Sequence, residues 1–396
     1  RTDFSTYEGD NRRLFGLGED NIYVNATFRR HTSGEWSWFA GAAYSYYNRR
    51  IGGAVVSGDN WLERQQETHL KAKVSKRLSS VFRLDMGIES YIRNYRNHYL
   101  LCGTDDSNRM SPTIGAGFFS MAYYPMEQLK MEFSFRTEYT SPSRKMNFSP
   151  RLAANYYWGN MMLSGIVGRY TQLPENNCLV RRPQLMSEVC MQYNLGVQYD
   201  YEGRFCKAEL YYKDYDRLAL EETDADTKAV FLTSNGYGHS KGIDLFFRDR
   251  ASFKNLEYQL SYTYNIAKRK YREYLELTTP QYATRHNAAW VVKYSLPRLR
   301  SIVSVTDRFS SGRPYNPRLP GLMNDEVKPY NSLDLGVTFL ASKKVIIHAS
   351  TSNILCRKNE FGKVDNKAVL ASSDHFFYVG VYVTLGKKVA YDVSNF

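Results

Sequence analysis

Nowhere in its 396 residues does this sequence hold an apolar run approaching the ~20 residues that a membrane-spanning helix needs. That absence excludes helical insertion into a bilayer. Cysteine is sparse as well: Cys102, Cys178, Cys190, Cys206 and Cys356 are the whole complement, with no CxxC or zinc-ligand spacing. An odd count leaves at least one thiol unpaired. Two readings stay open, a Cys178–Cys190 bridge or five thiols without any disulfide.

Catalytic signatures are missing too. The histidines (His31, His69, His98, His239, His286, His348 and His375) form neither HxxxH nor HExxH. No Walker loop, GxSxG or dinucleotide fingerprint is found. Asp105-Asp106 and the Asp224/Asp226 pair lie in polar segments, where acidic pairs serve turns rather than calcium. The sequence therefore predicts no catalytic residue, no cofactor, no metal site and no enzyme. A net charge of +13 would suit nucleic acid, but the basic residues are spread along the chain rather than clustered, which argues against that partner. No fixed repeat is visible, which excludes a β-helix or solenoid.

What the chain does have is aromatic residues, 15% of the total with 33 Tyr and 21 Phe, although its mean hydropathy is only −0.52. It also has a strict two-residue alternation. In the stretch 129–138, Leu129, Met131, Phe133 and Phe135 alternate with Lys130, Glu132, Ser134 and Arg136, and Glu138 follows. Side chains on a strand point to opposite faces in turn, so one face is oily and the other carries both signs of charge. Phe82, Leu84, Met86 and Ile88 stand in the same way against Arg83, Asp85, Gly87 and Glu89. A soluble sandwich would bury the oily face, whereas a membrane barrel turns it to lipid and keeps the charged face within.

The connections favour the barrel. The pattern predicts about 17 strands. Short connectors near 30–35, 77–80, 125–128, 158–160, 200–204, 250–254, 297–300 and 341–343 alternate with long polar loops. The long loops fall near 50–61, 96–110, 141–147, 172–187, 220–228, 269–283, 311–329 and 356–374, with residues 1–13 polar and turn-like. Short periplasmic turns alternating with long extracellular loops are the signature of outer-membrane barrels. Many strands exceed the ~9–11 residues needed to cross hydrocarbon. Tyr44, Tyr46, Tyr47, Tyr91, Tyr95 and Tyr99 near the strand tops are expected to form an interfacial belt. The expected fold class is all-β, a large antiparallel transmembrane β-barrel. An odd strand number cannot close such a barrel, so further strands are expected before Arg1.

From Ser149 onward a series of short motifs appears in order. They are Ser149-Pro150-Arg151-Leu152, Gly168-Arg169-Tyr170 with Pro174, Glu188 with Tyr193-Asn194-Leu195-Gly196, and Tyr211-Tyr212-Lys213-Asp214-Tyr215. Asn235-Gly236, Gly242-Ile243-Asp244-Leu245 and Arg285-His286-Asn287 follow, then Ser311-Gly312-Arg313-Pro314-Tyr315, Ser352-Asn353-Ile354-Leu355 and Gly380-Val381. In this order they resemble the C-terminal barrel of the TonB-dependent outer-membrane receptors. The loop after Tyr170 lacks the family's fuller pattern, and the chain runs past Leu385 to Phe396. The resemblance implies a barrel of about 22 strands with an N-terminal plug in its lumen. On that reading residues 1–396 are the C-terminal part of the barrel, and the plug and first strands lie outside this chain.

The implied function is active import across the outer membrane of a scarce nutrient: a siderophore, haem, cobalamin or a glycan. The implied partners are outer-membrane lipid and lipopolysaccharide, the plug domain, the periplasmic TonB system and the nutrient itself. A surface lipoprotein lid is a further partner that no residue here indicates. A passive porin or a scaffold for adhesion is the alternative. Arg83, Asp85, Glu89, Glu132, Arg136, Glu138 and Arg151 are expected to face the lumen and the plug. Arg169, Tyr170, Arg181, Arg182 and Arg313 are the expected extracellular ligand contacts, because guanidinium forks suit carboxylate or phosphate oxygens.

Overall fold

A computed structural model describes residues 2–8, 11–52, 59–315, 325–364, 367–371 and 374–385. The tail beyond Leu385 thus lies outside the described residues. Among the described residues nineteen strands belong to one sheet, and two short hairpins, Pro314–Tyr315 with Asp325–Glu326 and Glu360–Val364 with Lys367–Leu370, stand apart from it. The ladders from Thr2–Glu8 to Leu129–Thr140 and those from Leu256–Lys270 to Phe376–Val383 are antiparallel, for example Asn11–Thr32 against Trp36–Gly52 and Val345–Ser352 against Phe376–Val383. The chain divides into two compact units. One comprises Arg1–Asn155, Ile166–Gln192 and Asp214–Tyr237; the other comprises Tyr156–Gly165, Tyr193–Lys213 and Gly238–Phe396.

Alternation in the sequence becomes alternation of burial. In the first unit, Ile88 is 68% exposed while its neighbour Glu89 is 7% exposed. Phe28, Trp38, Met86, Ile92 and Phe133 are also exposed. An oily face turned outward and a charged face turned in is the reverse of a water-soluble sheet, and it is what lipid as solvent demands. The second unit repeats the pattern, with Leu260, Val337, Phe339, Val379 and Val381 exposed. On the same face as these apolar residues Asp307 accepts hydrogen bonds from the Trp290 indole (3.1 Å) and the Asn331 amide (2.8 Å), while on the opposite face Arg308 pairs with Asp334.

Several expected loops are in fact structured. Thr2–Glu8, expected to be turn-like, is a strand whose residues pair from Thr2↔Leu17 to Glu8↔Asn11. Its sequence lacks a period-2 pattern, so the neighbouring ladder decides its conformation. The 96–110 segment is a hairpin rather than a loop. Phe82–Leu101 continues to a two-residue turn, Cys102 (φ 51°) and Gly103 (φ 82°), and Thr104–Met110 returns along it. Two successive positive φ angles match the right-handed twist of the flanking strands. The expected loop at 141–147 shrinks to a four-residue turn, because Lys145–Trp158 begins earlier than its apolar pattern does. The 172–187 loop carries a helix, Asn176–Arg181, whose Leu179 is buried with Leu185, Ala219 and Leu232.

None of the five cysteines is in a disulfide, so the Cys178–Cys190 bridge does not form. Asn353 bonds locally, with φ 50° and its amide donating to the carbonyls of Arg357 (2.8 Å) and Asp374. Gly242 serves close approach. A Cβ there would lie 2.1 Å from the Tyr264 carbonyl oxygen.

Candidate functional site

The polar face of the first unit is built by register. Across consecutive strands Gly41, Lys71, Glu89, Ala116 and Glu138 stand side by side, and the next row is Phe39, Lys73, Gly87, Phe118 and Arg136. Glu89 Oε1 accepts from His69 Nε2 at 2.9 Å and Lys71 Nζ at 3.2 Å, and Oε2 accepts from Arg136 Nη1 at 2.5 Å. Arg136 reaches Glu89 across a whole strand because the residue between the two carboxylates is the small Ala116. Its other edge grips Glu138, Nε and Nη2 both lying 2.7 Å from Oε1. The network continues through Thr171, which donates to Glu138 Oε2 at 3.3 Å and lies 3.2 Å from Ser149 Oγ.

Aromatic and small residues hold this face in place. The His69 ring stacks on Tyr91 at 4.2 Å, 9° from parallel. Phe118 lies flat over Gly87, where an added Cβ would be 2.4 Å from the ring and 2.4 Å from the Ala72 carbonyl oxygen. Lys71 Nζ sits 5.1 Å from the Phe118 ring centroid. Towards the short turns, Asp85 takes a hydrogen bond from Ser75 and ion pairs with Lys73 (3.4 Å) and Arg83 (3.5 Å). Glu132 accepts from Ser120 (3.0 Å) and pairs with Lys130 (3.1 Å). Towards the loops, Arg93 pairs with Glu67. Of the residues expected on this face, Glu89, Arg136 and Glu138 share one network, while Asp85 with Arg83 and Glu132 form separate pairs.

Arg151 belongs with Tyr170, its guanidinium 4.2 Å from the ring centroid. Gly168 makes that stack possible, since a Cβ there would sit 2.8 Å from Arg151 Cγ. Arg169 and Tyr170 are consecutive strand residues and so point to opposite faces. Arg169 donates to the Phe148 carbonyl. Arg181 ion pairs with Glu221, and Arg182 donates to the Leu232 carbonyl, so both arginines tie the loop helix to neighbouring strands. Arg313, in the second unit, lies 5.2 Å from the Phe361 ring centroid, and its carbonyl accepts from the Val327 amide at 3.0 Å.

Sequence reasoning missed His69, Lys71, Lys73, Glu67 and Arg93, although each is on the same face as Glu89 by register. It also treated six tyrosines as one belt. Tyr91, Tyr95 and Tyr99 share the Glu89 face and Tyr47 lies opposite Tyr95 through Gln65, whereas Tyr44 and Tyr46 take the other parity. Counting by twos from Glu89 would have separated Tyr91, Tyr95 and Tyr99 from the belt. At the loop end Tyr99 donates to Asp106 at 2.6 Å, which holds the Asp106 carboxyl below its ordinary range. Among the described residues no group of three or more His, Cys, Asp or Glu is placed to hold a metal ion.

The comparisons with known proteins bear on the fold. Residues 1–351 match the family model described as TonB dependent receptor-like, beta-barrel, which extends the likeness well ahead of Ser149. No curated protein matches the sequence. The FrpB iron transporter from Neisseria meningitidis (F3-3 variant) has the same fold at a TM-score of 0.74 and 10% identity, over 93% of this chain and 63% of FrpB. The ferric yersiniabactin uptake receptor FyuA from Yersinia pestis gives 0.72 at 12% identity, over 95% of this chain and 62% of FyuA. The outer membrane transporter YddB from Escherichia coli gives 0.66 at 11% identity, over 96% of this chain and 68% of YddB. The chain spans less than two thirds of the length of FrpB and FyuA.

Proposed function

This chain belongs to the TonB-dependent receptor-like β-barrel family of the outer membrane, and on that premise we propose that it forms the barrel wall of an active transporter for a scarce nutrient. The observation that carries the reading is the ion-paired network of His69, Lys71, Arg136 and Glu138 around the buried Glu89, opposed across the same strands by exposed apolar side chains. A plain water-filled pore needs lumen charges that are solvated. A lumen that receives a folded plug needs charges held in fixed positions, to which plug groups can be complementary. Arg83, Asp85, Glu89, Glu132, Arg136, Glu138 and Arg151 are the plug-facing set in this proposal. The plug and the first strands belong to the same protein outside residues 1–396, a reading supported by the greater length of FrpB and FyuA.

The nutrient binds at the loop end. Ferric chelates head the candidates because FyuA takes up ferric yersiniabactin and FrpB carries iron; haem, cobalamin and glycans are the other classes. Arg169, Tyr170, Arg181 and Arg182 of the first unit are proposed contacts for an anionic chelate, and Arg313 of the second unit is proposed separately. An arginine already holding one carboxylate or carbonyl still has further N–H donors to offer. Periplasmic TonB would then supply the energy that moves the plug. Radiolabelled nutrient uptake by cells carrying the native protein tests the proposal. Uptake should stop when the proton gradient is collapsed or TonB is removed. Uptake that persists would make the protein a passive pore.

A further inference from the structure

The outward face of the first unit is not uniformly oily. From Asn11–Thr32 to Leu129–Thr140, register places Phe28, Ala40, Ala72, Ile88, Gly117 and Thr137 in one row. The next row towards the short turns is Arg30, Trp38, Val74, Met86, Phe119 and Phe135. Three small residues, Ala40, Ala72 and Gly117, stand between large ones and leave a groove of about 900 Å³. That volume falls within the range of small-molecule sites. The walls are Phe28, Trp38, Met86, Ile88, Phe119 and Phe135.

Charge on this face is one-sided. Between the row of Val24, Tyr44, Thr68, Ile92 and Thr113 and the row of Thr32, Trp36, Lys76, Leu84, Met121 and Phe133, no carboxylate appears. The two charged residues are Arg30 and Lys76, both at the short-turn end. They flank a stacked aromatic pair: Trp36 and Trp38 have ring centroids 5.9 Å apart, Arg30 is paired in register with Trp38, and Lys76 Nζ lies 4.5 Å from the Trp36 ring centroid. Short turns face the periplasm in outer-membrane barrels, so the cations sit at the level of the inner-leaflet headgroups. Two cations beside aromatic rings, opening on an apolar groove, match an anionic phosphate with an acyl chain attached.

We propose that this groove is a binding site for a glycerophospholipid of the periplasmic leaflet. One acyl chain lies over Ala40, Ala72 and Gly117, and the phosphate is held by Arg30 and Lys76. The inference rests on the membrane-barrel reading but not on what is transported, so it stands or falls apart from the import proposal.

Native mass spectrometry of the whole protein in detergent, titrated with phosphatidylglycerol, tests it. One lipid should be retained per barrel. The R30Q/K76Q variant should weaken retention about five-fold for each cation removed. Ala72→Phe, which fills the groove floor without touching the charges, should abolish it. Heat-modifiable migration on a gel checks that both variants fold, and the charge variant, which keeps a long side chain at both positions, decides the matter if Ala72→Phe fails to fold. Equal retention by the wild type and R30Q/K76Q would overturn the proposal. So would preferential retention of lipopolysaccharide, or a dimer that Ala72→Phe dissociates, because the occupant would then be another molecule.

Discussion

Arg136 spans the strand Thr113–Met126 to place Nη1 2.5 Å from the Glu89 carboxylate, so that one guanidinium joins two carboxylates, Glu89 and Glu138, on strands that do not touch. Removing it leaves two carboxylates on a poorly solvated face with a common counter-ion lost. Breaking such a pair by deleting one partner costs about 3–5 kcal/mol when the survivor stays buried. Arg136→Ala should therefore lower stability by about 3 kcal/mol, read as a shift of the urea unfolding midpoint in lipid vesicles. Glu89→Gln should cost less, since the amide oxygen still accepts from Arg136. Equal losses from both changes would mean that the ion pairs are replaced by water.

Gly87 supports the same face by having no side chain. The Ala72 carbonyl oxygen and the Phe118 ring both lie 2.4 Å from the position of a Cβ, and the carbonyl belongs to the sheet backbone and cannot rotate away. Gly87→Val should destabilise by about 1–3 kcal/mol through overpacking. Gly115→Ala on the adjoining strand meets nothing within 4 Å and should be close to neutral. Parallel unfolding curves for the two variants decide the matter; similar midpoints would show that Phe118 swings aside.

Much of this was legible in the sequence, and the reason is periodicity. Ile88 and Glu89 already state which face is which, because parity along a strand is a local property. What is not local is which residues meet across strands. His69 and Lys71 reach Glu89 only once the turn at 78–81 has fixed the register of Phe82–Leu101 against Asn60–Arg77, and nothing in either strand alone encodes that. The extracellular ends were harder. Thr104–Met110 is polar on both faces because it leaves the lipid, so the alternation that marks a strand disappears although the ladder continues. The helix Asn176–Arg181 is too short to show a period, and Leu179 and Leu185 find their partners Ala219 and Leu232 far along the chain.

That small loop core makes its own prediction. Leu179 is 1% exposed, and truncating it leaves a cavity among Leu185, Ala219 and Leu232. Leu179→Ala should cost about 2–5 kcal/mol of local stability. Because the affected elements are loop-end rather than wall, the barrel should keep its heat-modifiable migration while limited trypsin digestion now cuts after Arg181, the bond after Arg182 being protected by Pro183. Cleavage rates unchanged from the wild type would show that Arg181–Glu221 and Arg182–Leu232 hold the helix without the apolar core.

Asp249 supplies a pH signature at a short turn. Its carboxylate accepts from the Ser252 hydroxyl at 2.5 Å, from the backbone N–H groups of Ser252 (2.9 Å) and Ala251 (2.8 Å), and from the Tyr258 hydroxyl at 3.2 Å. These donors favour the ionised form and hold the carboxyl well below its ordinary value, the Ser252 hydroxyl contributing most. A carboxyl whose folded value is depressed stabilises the fold fully above its unfolded value near 4. That stabilisation is lost as pH falls through the depressed value. The stability gap between wild type and Asp249→Asn should therefore be constant from about pH 8 to pH 5 and close progressively below about pH 4. Guanidinium unfolding of the two proteins across that range measures it. A gap that stays open at the acid end would mean that turn geometry, rather than the carboxylate charge, is what Asp249 contributes.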